Sequence, residues 1–325
     1  LDIGAVEIAD VDRDGIPEIV YGDSQWGKVY AINVRTRTEK WSVNNPEHGV
    51  SGIALGDVDL DGKTELLWAA GGSSTGPDFL YIADPLSGTI KWQNIDCSGL
   101  SPLAVGDVDN DGEDEIVMVT ESSNSGYDEG IINIFSARTH VLKYQNKLGI
   151  MDWMRSNRVV RIGDVDGDGR TEFVVTTAYL YNGVIQVYDG ATCTLKRQSA
   201  EYGNRSFTAL AVGDVDNDGK KEIVAAENGD GGIHLIVFDG ATMQEKWRSV
   251  DLSVSYGPAY DIKLSDLDKD GHLDIIVSLT DSRLIVFDGV NHTLKLMIES
   301  PARAIEVADV DGDGRKELVV GVFDG

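Results

Sequence analysis

Residues 164–172 read DVDGDGRTE, and this nine-residue stretch decides the fold because it recurs along the chain. The same pattern, D-x-D-x-D-G-x-x-[DE], occurs seven times in 325 residues. The copies, numbered here loop one to loop seven, start at Asp10, Asp57, Asp107, Asp164, Asp214, Asp266 and Asp309. Successive starts lie between 43 and 57 residues apart. A near-constant spacing of this size indicates an array of one repeated structural unit.

The sequence on both sides of each loop predicts β-strands. An alternating segment precedes each loop, such as AVEIA at residues 5–9, and a β-branched run follows, such as FVVT at residues 173–176. Both patterns are typical of strands. A third strand and a short fourth strand come next, and the fourth strand ends in Trp41, Trp92 or Trp247 in three repeats. Each repeat is therefore predicted to be a sheet of four short antiparallel strands.

Seven such repeats predict an all-β protein, a seven-bladed β-propeller that occupies residues 1–325 as a single domain. A parallel β-helix with shorter coils is the structural alternative. The last blade is expected to be incomplete, because no third or fourth strand follows the run at residues 319–325. Three completions are open: a longer natural chain, upstream residues, or strands donated by a neighbouring copy, which would build a homo-oligomer or filament.

Each loop is predicted to bind one calcium ion, so up to seven ions are expected. Calcium takes six to eight oxygen ligands at about 2.3–2.6 Å, and aspartates at alternate positions converge when a loop curls. Glycine at position six permits the sharp turn. The expected ligands are the side chains at positions one, three, five and nine and the backbone carbonyl at position seven. They are Asp10, Asp12, Asp14, Ile16, Glu18, Asp57, Asp59, Asp61, Lys63, Glu65, Asp107, Asp109, Asp111, Glu113, Glu115, Asp164, Asp166, Asp168, Arg170, Glu172, Asp214, Asp216, Asp218, Lys220, Glu222, Asp266, Asp268, Asp270, His272, Asp274, Asp309, Asp311, Asp313, Arg315 and Glu317.

An EF-hand is excluded, because position twelve of that motif must be a bidentate Glu. Here position twelve holds Tyr21, Trp68, Met118, Val175, Ala225, Val277 and Val320. A metal-free, Asx-rich turn is the other interpretation of a single loop. The net charge of −27 agrees with metal sites, since four acids in each of seven loops make 28 of the 55 acidic residues. This acidity disfavours nucleic acid as a partner, and no apolar run long enough for a membrane span occurs.

These loops and their flanking strands resemble the FG-GAP and VCBS repeat family, which includes the amino-terminal propeller of integrin α subunits. The resemblance covers nearly the whole chain. It implies that calcium lies in the hairpin between the first and second strands of each blade. The fourth-strand residues Trp41, Trp92 and Trp247 also resemble the tryptophan-docking pattern of quinoprotein propellers, which implies a shared way of packing.

The predicted function is that of a non-catalytic, calcium-binding repeat module for protein or glycan binding, adhesion, or surface and filament assembly. Extracellular modules bind calcium with a Kd of about 10⁻⁴–10⁻³ M. Cytosolic calcium is too dilute to fill such sites, so a secreted or cell-surface location is expected. The loops also resemble those of propeller-type rhamnogalacturonan lyases. A carbohydrate-active enzyme such as a polysaccharide lyase is therefore the alternative function, although no catalytic motif is present.

A partner surface is predicted in the long connection at residues 148–158, which reads LGIMDWMRSNR. Met151, Trp153 and Met154 lie beside arginines there, as at many interaction hot spots. Filling of the propeller's central opening is the alternative role for Trp153. Trp26 is a weaker partner candidate. The sequons at Asn204 and Asn291 are candidate glycosylation sites.

Overall fold

The computed structural model describes residues 3–23, 27–47, 49–70, 79–94, 103–120, 131–147, 156–178, 182–229, 231–253 and 257–322. These residues form 27 β-strands, all paired in antiparallel sheets. Nowhere in these ranges does a helix long and apolar enough to cross a membrane occur. The prediction of an all-β chain is therefore confirmed.

Six sheets contain four strands that follow one another in chain order. The first three are β1 Ile3–Ala9, β2 Glu18–Asp23, β3 Lys28–Asn33 and β4 Glu39–Asn44; β5 Val50–Gly56, β6 Glu65–Ala70, β7 Leu80–Asp84 and β8 Thr89–Gln93; and β9 Leu103–Gly106, β10 Glu115–Thr120, β11 Ile131–Ser136 and β12 Leu142–Lys147. The next three are β13 Ser156–Gly163, β14 Glu172–Ala178, β15 Asn182–Asp189 and β16 Leu195–Gln198; β18 Arg205–Gly213, β19 Glu222–Gly229, β20 Gly232–Asp239 and β21 Glu245–Arg248; and β22 Ala259–Ser265, β23 Asp274–Leu279, β24 Arg283–Asp288 and β25 Leu294–Glu299. The short β17, Tyr202–Gly203, pairs with β15.

The seventh repeat forms a two-stranded sheet, made of β26, Ala302–Ala308, and β27, Glu317–Val322. The predicted count of seven blades is therefore wrong, because the described residues form six four-stranded blades, whereas the two-stranded seventh repeat agrees with the expected incomplete last blade. The physical reason lies in what each loop pattern specifies. It fixes only the hairpin of first and second strands beside it. The third and fourth strands need a further run of sequence, which the described part of the seventh repeat does not provide.

The register of the first hairpin fixes the position of every loop. In each four-stranded sheet, the residue before the first aspartate pairs with the closing acid, as Gly213 pairs with Glu222. The second strand then enters the interior. Its β-branched and aliphatic residues are buried along the whole strand in β6 and β23, which is the pattern of a strand covered on both faces. The loop ends are thus anchored to the most buried strand of each sheet.

The contacts divide the chain into two compact units. One comprises Leu1–Gly106, Glu113–Trp153 and Glu306–Gly325, and the other comprises Asp107–Gly112 and Met154–Ile305. In the first unit, apolar side chains such as Val20 and Trp68 form a core between the first two sheets. In the second unit, residues such as Val224 and Ile275 form a core between the fifth and sixth sheets. Burial between successive sheets is the main source of stability in such repeats.

Fourth-strand tryptophans reach across to the following sheet. Trp92 stacks on His140 with ring centroids 4.8 Å apart, and its edge contacts Phe135. Trp247 stacks on His292 at 4.4 Å and contacts Phe287 in the same way. These contacts agree with the packing implied by the tryptophan-docking resemblance.

Candidate metal centres

The acids of each loop converge. In loop five, one oxygen from each of Asp214, Asp216 and Glu222 lies within 4.8 Å of the other two. The same holds for Asp10, Asp12 and Glu18; for Asp57, Asp59 and Glu65; for Asp107, Asp109 and Asp111; and for Asp164, Asp166 and Glu172. Acids that sequence reasoning predicted as ligands are therefore brought together in these five loops.

Backbone N–H groups hold each loop around its acids. The position-six glycine N–H donates to Oδ2 of the first aspartate in all seven loops, with N···O distances of 2.8–3.1 Å. In loop five, Lys220 N–H donates to Asp218 Oδ1 at 2.9 Å, and Val215 N–H donates to Glu222 Oε2 at 3.0 Å. The position-six glycines have φ between 81° and 90°, a conformation that only glycine adopts without a steric penalty.

The closing acid of each blade is buried at the start of the second strand. Glu18, Glu172 and Glu222 have no exposed side-chain surface. Burial raises the pKa of the Glu222 carboxyl, and its hydrogen bond from Lys246 opposes this rise only in part. Asp274 has the same balance, because burial raises its pKa while Lys295 lowers it. A carboxylate in such surroundings needs a cation to remain charged.

A lysine from the fourth strand supplies positive charge to each blade, and sequence reasoning missed it. Lys246 on β21 lies 2.9 Å from Glu222 Oε1 and 3.5 Å from Asp218 Oδ2, and it also contacts Asp216 Oδ2. Burial opposes the charge of Lys246, yet its hydrogen bonds to Asp216 and Glu222 raise its pKa overall. The equivalent residues, called here the fourth-strand lysines, are Lys40, Lys91, Lys143, Lys196, Lys246 and Lys295.

A signal for these lysines was present in the sequence. Each fourth-strand lysine directly precedes the residue that occupies the tryptophan position of its repeat. These residues are Trp41, Trp92, Tyr144, Arg197, Trp247 and Leu296. Successive residues of a strand point to opposite faces. The lysine therefore faces its own loop when the next residue faces the following sheet.

The donor set suits a hard divalent cation. Asp10, Asp57 and Asp216 each keep one buried carboxylate oxygen, Oδ1, without a hydrogen-bond partner among the described residues. Leaving a buried acceptor unpaired is costly. Carboxylate and carbonyl oxygens are the ligands that calcium and magnesium prefer. The ammonium groups already present show that these clusters accept a cation.

A sequence model of the FG-GAP-like repeat matches residues 5–68, 164–225 and 214–277, which together make up more than half of the chain. The chain belongs to the FG-GAP-like repeat family. The matched ranges include loops one, two, four, five and six. No curated protein sequence matches the chain.

Solved structures show the fold of this FG-GAP-like repeat protein. The crystal structure of the WD40 β-propeller domain of Doa1 is similar over 99% of this chain and 89% of that chain, with a TM-score of 0.66 and 15% identity. The crystal structure of the computationally designed Ika8 protein is similar over 98% of this chain and 96% of that chain, with a TM-score of 0.60 and 12% identity. At these identities the likeness shows the fold alone, and the predicted β-propeller is confirmed.

The predicted partner residues of the FG-GAP-like repeat protein, Trp26, Met151, Trp153 and Met154, lie outside the described residues. Both sequon asparagines are described and exposed. Asn204 directly precedes β18 and has φ of 56°, and Asn291 lies in the turn between β24 and β25. Their glycosylation stays a prediction.

Proposed function

We propose that this FG-GAP-like repeat protein is a non-catalytic, extracellular calcium-binding module, one propeller domain over residues 1–325, that binds a protein or a glycan. The observation that carries the proposal is the repeated acidic loop. Carboxylates converge in loops one to five, the closing acid of each four-stranded blade is buried, and three loops keep a buried oxygen without a partner among the described residues. Residues at positions one, three, five, seven and nine of each loop would hold the ion. The ion would supply charge neutralisation and loop rigidity.

Calcium fits this donor set better than a softer metal. The proposed ligands are all oxygen atoms, whereas zinc and copper sites use cysteine and histidine. A flexible loop of this kind also suits calcium better than magnesium, which demands near-ideal octahedral geometry. With a Kd of about 0.1 mM and free calcium near 1 mM, each filled site would stabilise the fold by roughly 1.4 kcal/mol.

The extracellular location follows from the same affinity range. Sites with a Kd of about 10⁻⁴–10⁻³ M are filled where calcium is millimolar and are unfilled in the cytosol. Adhesion and assembly of copies into an oligomer or filament belong to this proposal as the uses of such a module. The proposed partner surface comprises Met151, Trp153, Met154 and Trp26.

Thermal unfolding of one preparation in three buffers tests the calcium role. The account expects a higher Tm with millimolar calcium than with EDTA, because an ion bound only to the folded state shifts the equilibrium toward that state. Magnesium at the same ionic strength is the control for screening of the acidic surface and should raise the Tm much less. Equal melting temperatures in all three buffers would contradict the calcium role.

A further inference from the structure

The fourth-strand lysines occupy the carboxylate oxygens that the backbone leaves open. In loop one, Lys40 Nζ lies 2.6 Å from Asp12 Oδ2, 2.7 Å from Asp14 Oδ2 and 2.8 Å from Glu18 Oε1. The other oxygen of each carboxylate already accepts a backbone N–H, from Asp14, Ile16 and Val11 respectively. Of the eight carboxylate oxygens, Asp10 Oδ1 is then the one with neither kind of bond.

Other blades repeat this division of oxygens. In loop four, Lys196 lies 2.8 Å from Asp166 Oδ2, 3.0 Å from Asp168 Oδ2 and 2.8 Å from Glu172 Oε1. In loop six, Lys295 takes the equivalent oxygens of Asp268, Asp270 and Asp274 at 2.7, 3.5 and 2.7 Å. The ammonium group therefore has the same place in separate copies of the loop, although the rest of the fourth strand varies in sequence.

We propose that the fourth-strand lysines compete with calcium, so that an ion enters loops one to six only by displacing the ammonium group. This inference rests on the proposed calcium function. A calcium ion needs six or more oxygens, and it cannot gather them while three are held by a like charge a few ångströms away. The lysine also neutralises part of the acidic cluster when no ion is bound. Blades one to six would then stay folded at low calcium.

Ion counting by native mass spectrometry over a series of free calcium concentrations tests the competition. K246M removes the ammonium group of blade five but keeps an apolar side chain of similar length. K221M is the matched control, because Lys221 lies in the same loop, is exposed, and forms no ion pair with the described acids. K246M is expected to bind one ion roughly tenfold to hundredfold more tightly than K221M does.

Blade one provides a second test that does not need K246M to fold. K40M makes the same change beside Asp12, Asp14 and Glu18. K40M is also expected to bind one ion more tightly than K221M does. Equal binding by K40M and K221M would overturn the proposal.

Failure of the competition and failure of the calcium function give different results. If the wild-type protein binds ions but K246M and K221M bind them equally, the lysines do not compete and only this inference fails. If neither the wild-type protein nor any variant takes up calcium, the proposed function fails as well. Melting in EDTA adds a further readout, since K246M should unfold at a lower temperature than K221M when no ion replaces its ammonium group.

Discussion

At the scale of single residues, two positions of each loop have left-handed backbone. Position six is always glycine, whereas position four is glycine only in loops four and seven. Loops three and five have Asn110 and Asn217 at position four, both with φ of 59°. Loops one, two and six place a larger side chain there, namely Arg13, Leu60 and Lys269, with φ between 59° and 63°. Loops one, two and six therefore carry backbone strain at position four. Asparagine adopts the same conformation at a lower energetic cost.

Leu60→Asn should stabilise the protein by about 0.5–1 kcal/mol, because asparagine adopts φ near 60° at lower cost. Leu60 is 59% exposed, so little buried apolar surface is lost. The reverse change, Asn217→Leu, should destabilise by a similar amount at the equivalent position of loop five. Urea unfolding of both variants in calcium measures the two effects. Changes of the same sign in the two variants would contradict this account of strain.

Sequence reasoning identified position six but not position four. The glycine at position six is invariant in all seven loops, and its need for positive φ follows from the missing Cβ. Position four gives no such signal, because leucine, lysine and arginine rarely adopt φ near 60°. That conformation is imposed by the hydrogen bonds that curl the loop around its first aspartate, as between Gly62 N–H and Asp57 Oδ2.

At the scale of elements, two adjacent residues of the fourth strand make contacts on opposite sides, one with the loop of the same blade and one with the next sheet. Lys246 faces the acids of its own loop, and Trp247 stacks on His292 of the next sheet. The packing of the tryptophan was implied by the resemblance of the fourth strands to the tryptophan-docking pattern. The sequence did not predict the lysine contact, since Lys246 and Glu222 are 24 residues apart and meet only when four strands pair in register.

The end of the third strand makes the second contact between sheets. Gly240 follows β20, and a Cβ placed on it would lie 2.2 Å from the carbonyl oxygen of Val165 and 2.5 Å from that of Lys221. Val165 belongs to loop four, in the preceding blade. The recurring VFDG segments are therefore explained by a close approach of one blade's backbone to its neighbour's loop.

Gly240→Ala should destabilise the protein by about 2–3 kcal/mol, because the two backbone carbonyls cannot move aside without distorting loops four and five. Gly56→Ala is the matched control, since its added Cβ would meet only Val58 Cγ1 at 3.6 Å. Chemical unfolding in calcium measures both variants. A loss for Gly240→Ala no greater than that for Gly56→Ala would contradict the close-approach account.

At the scale of the whole molecule, the repeat fixed the fold class and the placement of the acids. The β-propeller and the family followed from loop spacing and strand alternation, both of which are local patterns. The number of four-stranded blades did not follow, because seven loops specify seven first hairpins and leave the outer strands unspecified. β26 and β27 form one such hairpin without outer strands in the described residues.

The net charge of −27 does not measure the charge of the acidic clusters themselves, because the fourth-strand lysines form ion pairs with them. The acids of six blades share their charge with an internal ammonium group, so these clusters are neutralised in part before any ion binds. Calcium would complete the neutralisation. The polysaccharide-lyase alternative stays a prediction, which a screen of uronic-acid polysaccharides for unsaturated product ends would check.

Isothermal titration calorimetry of chelator-stripped protein with calcium tests the central claim most directly. The account predicts saturable uptake of up to seven ions. The same titration after K246M should show one ion bound more tightly than in the wild-type protein. A calorimetric trace with no calcium uptake in the wild-type protein would contradict the claim that these acidic loops are calcium sites.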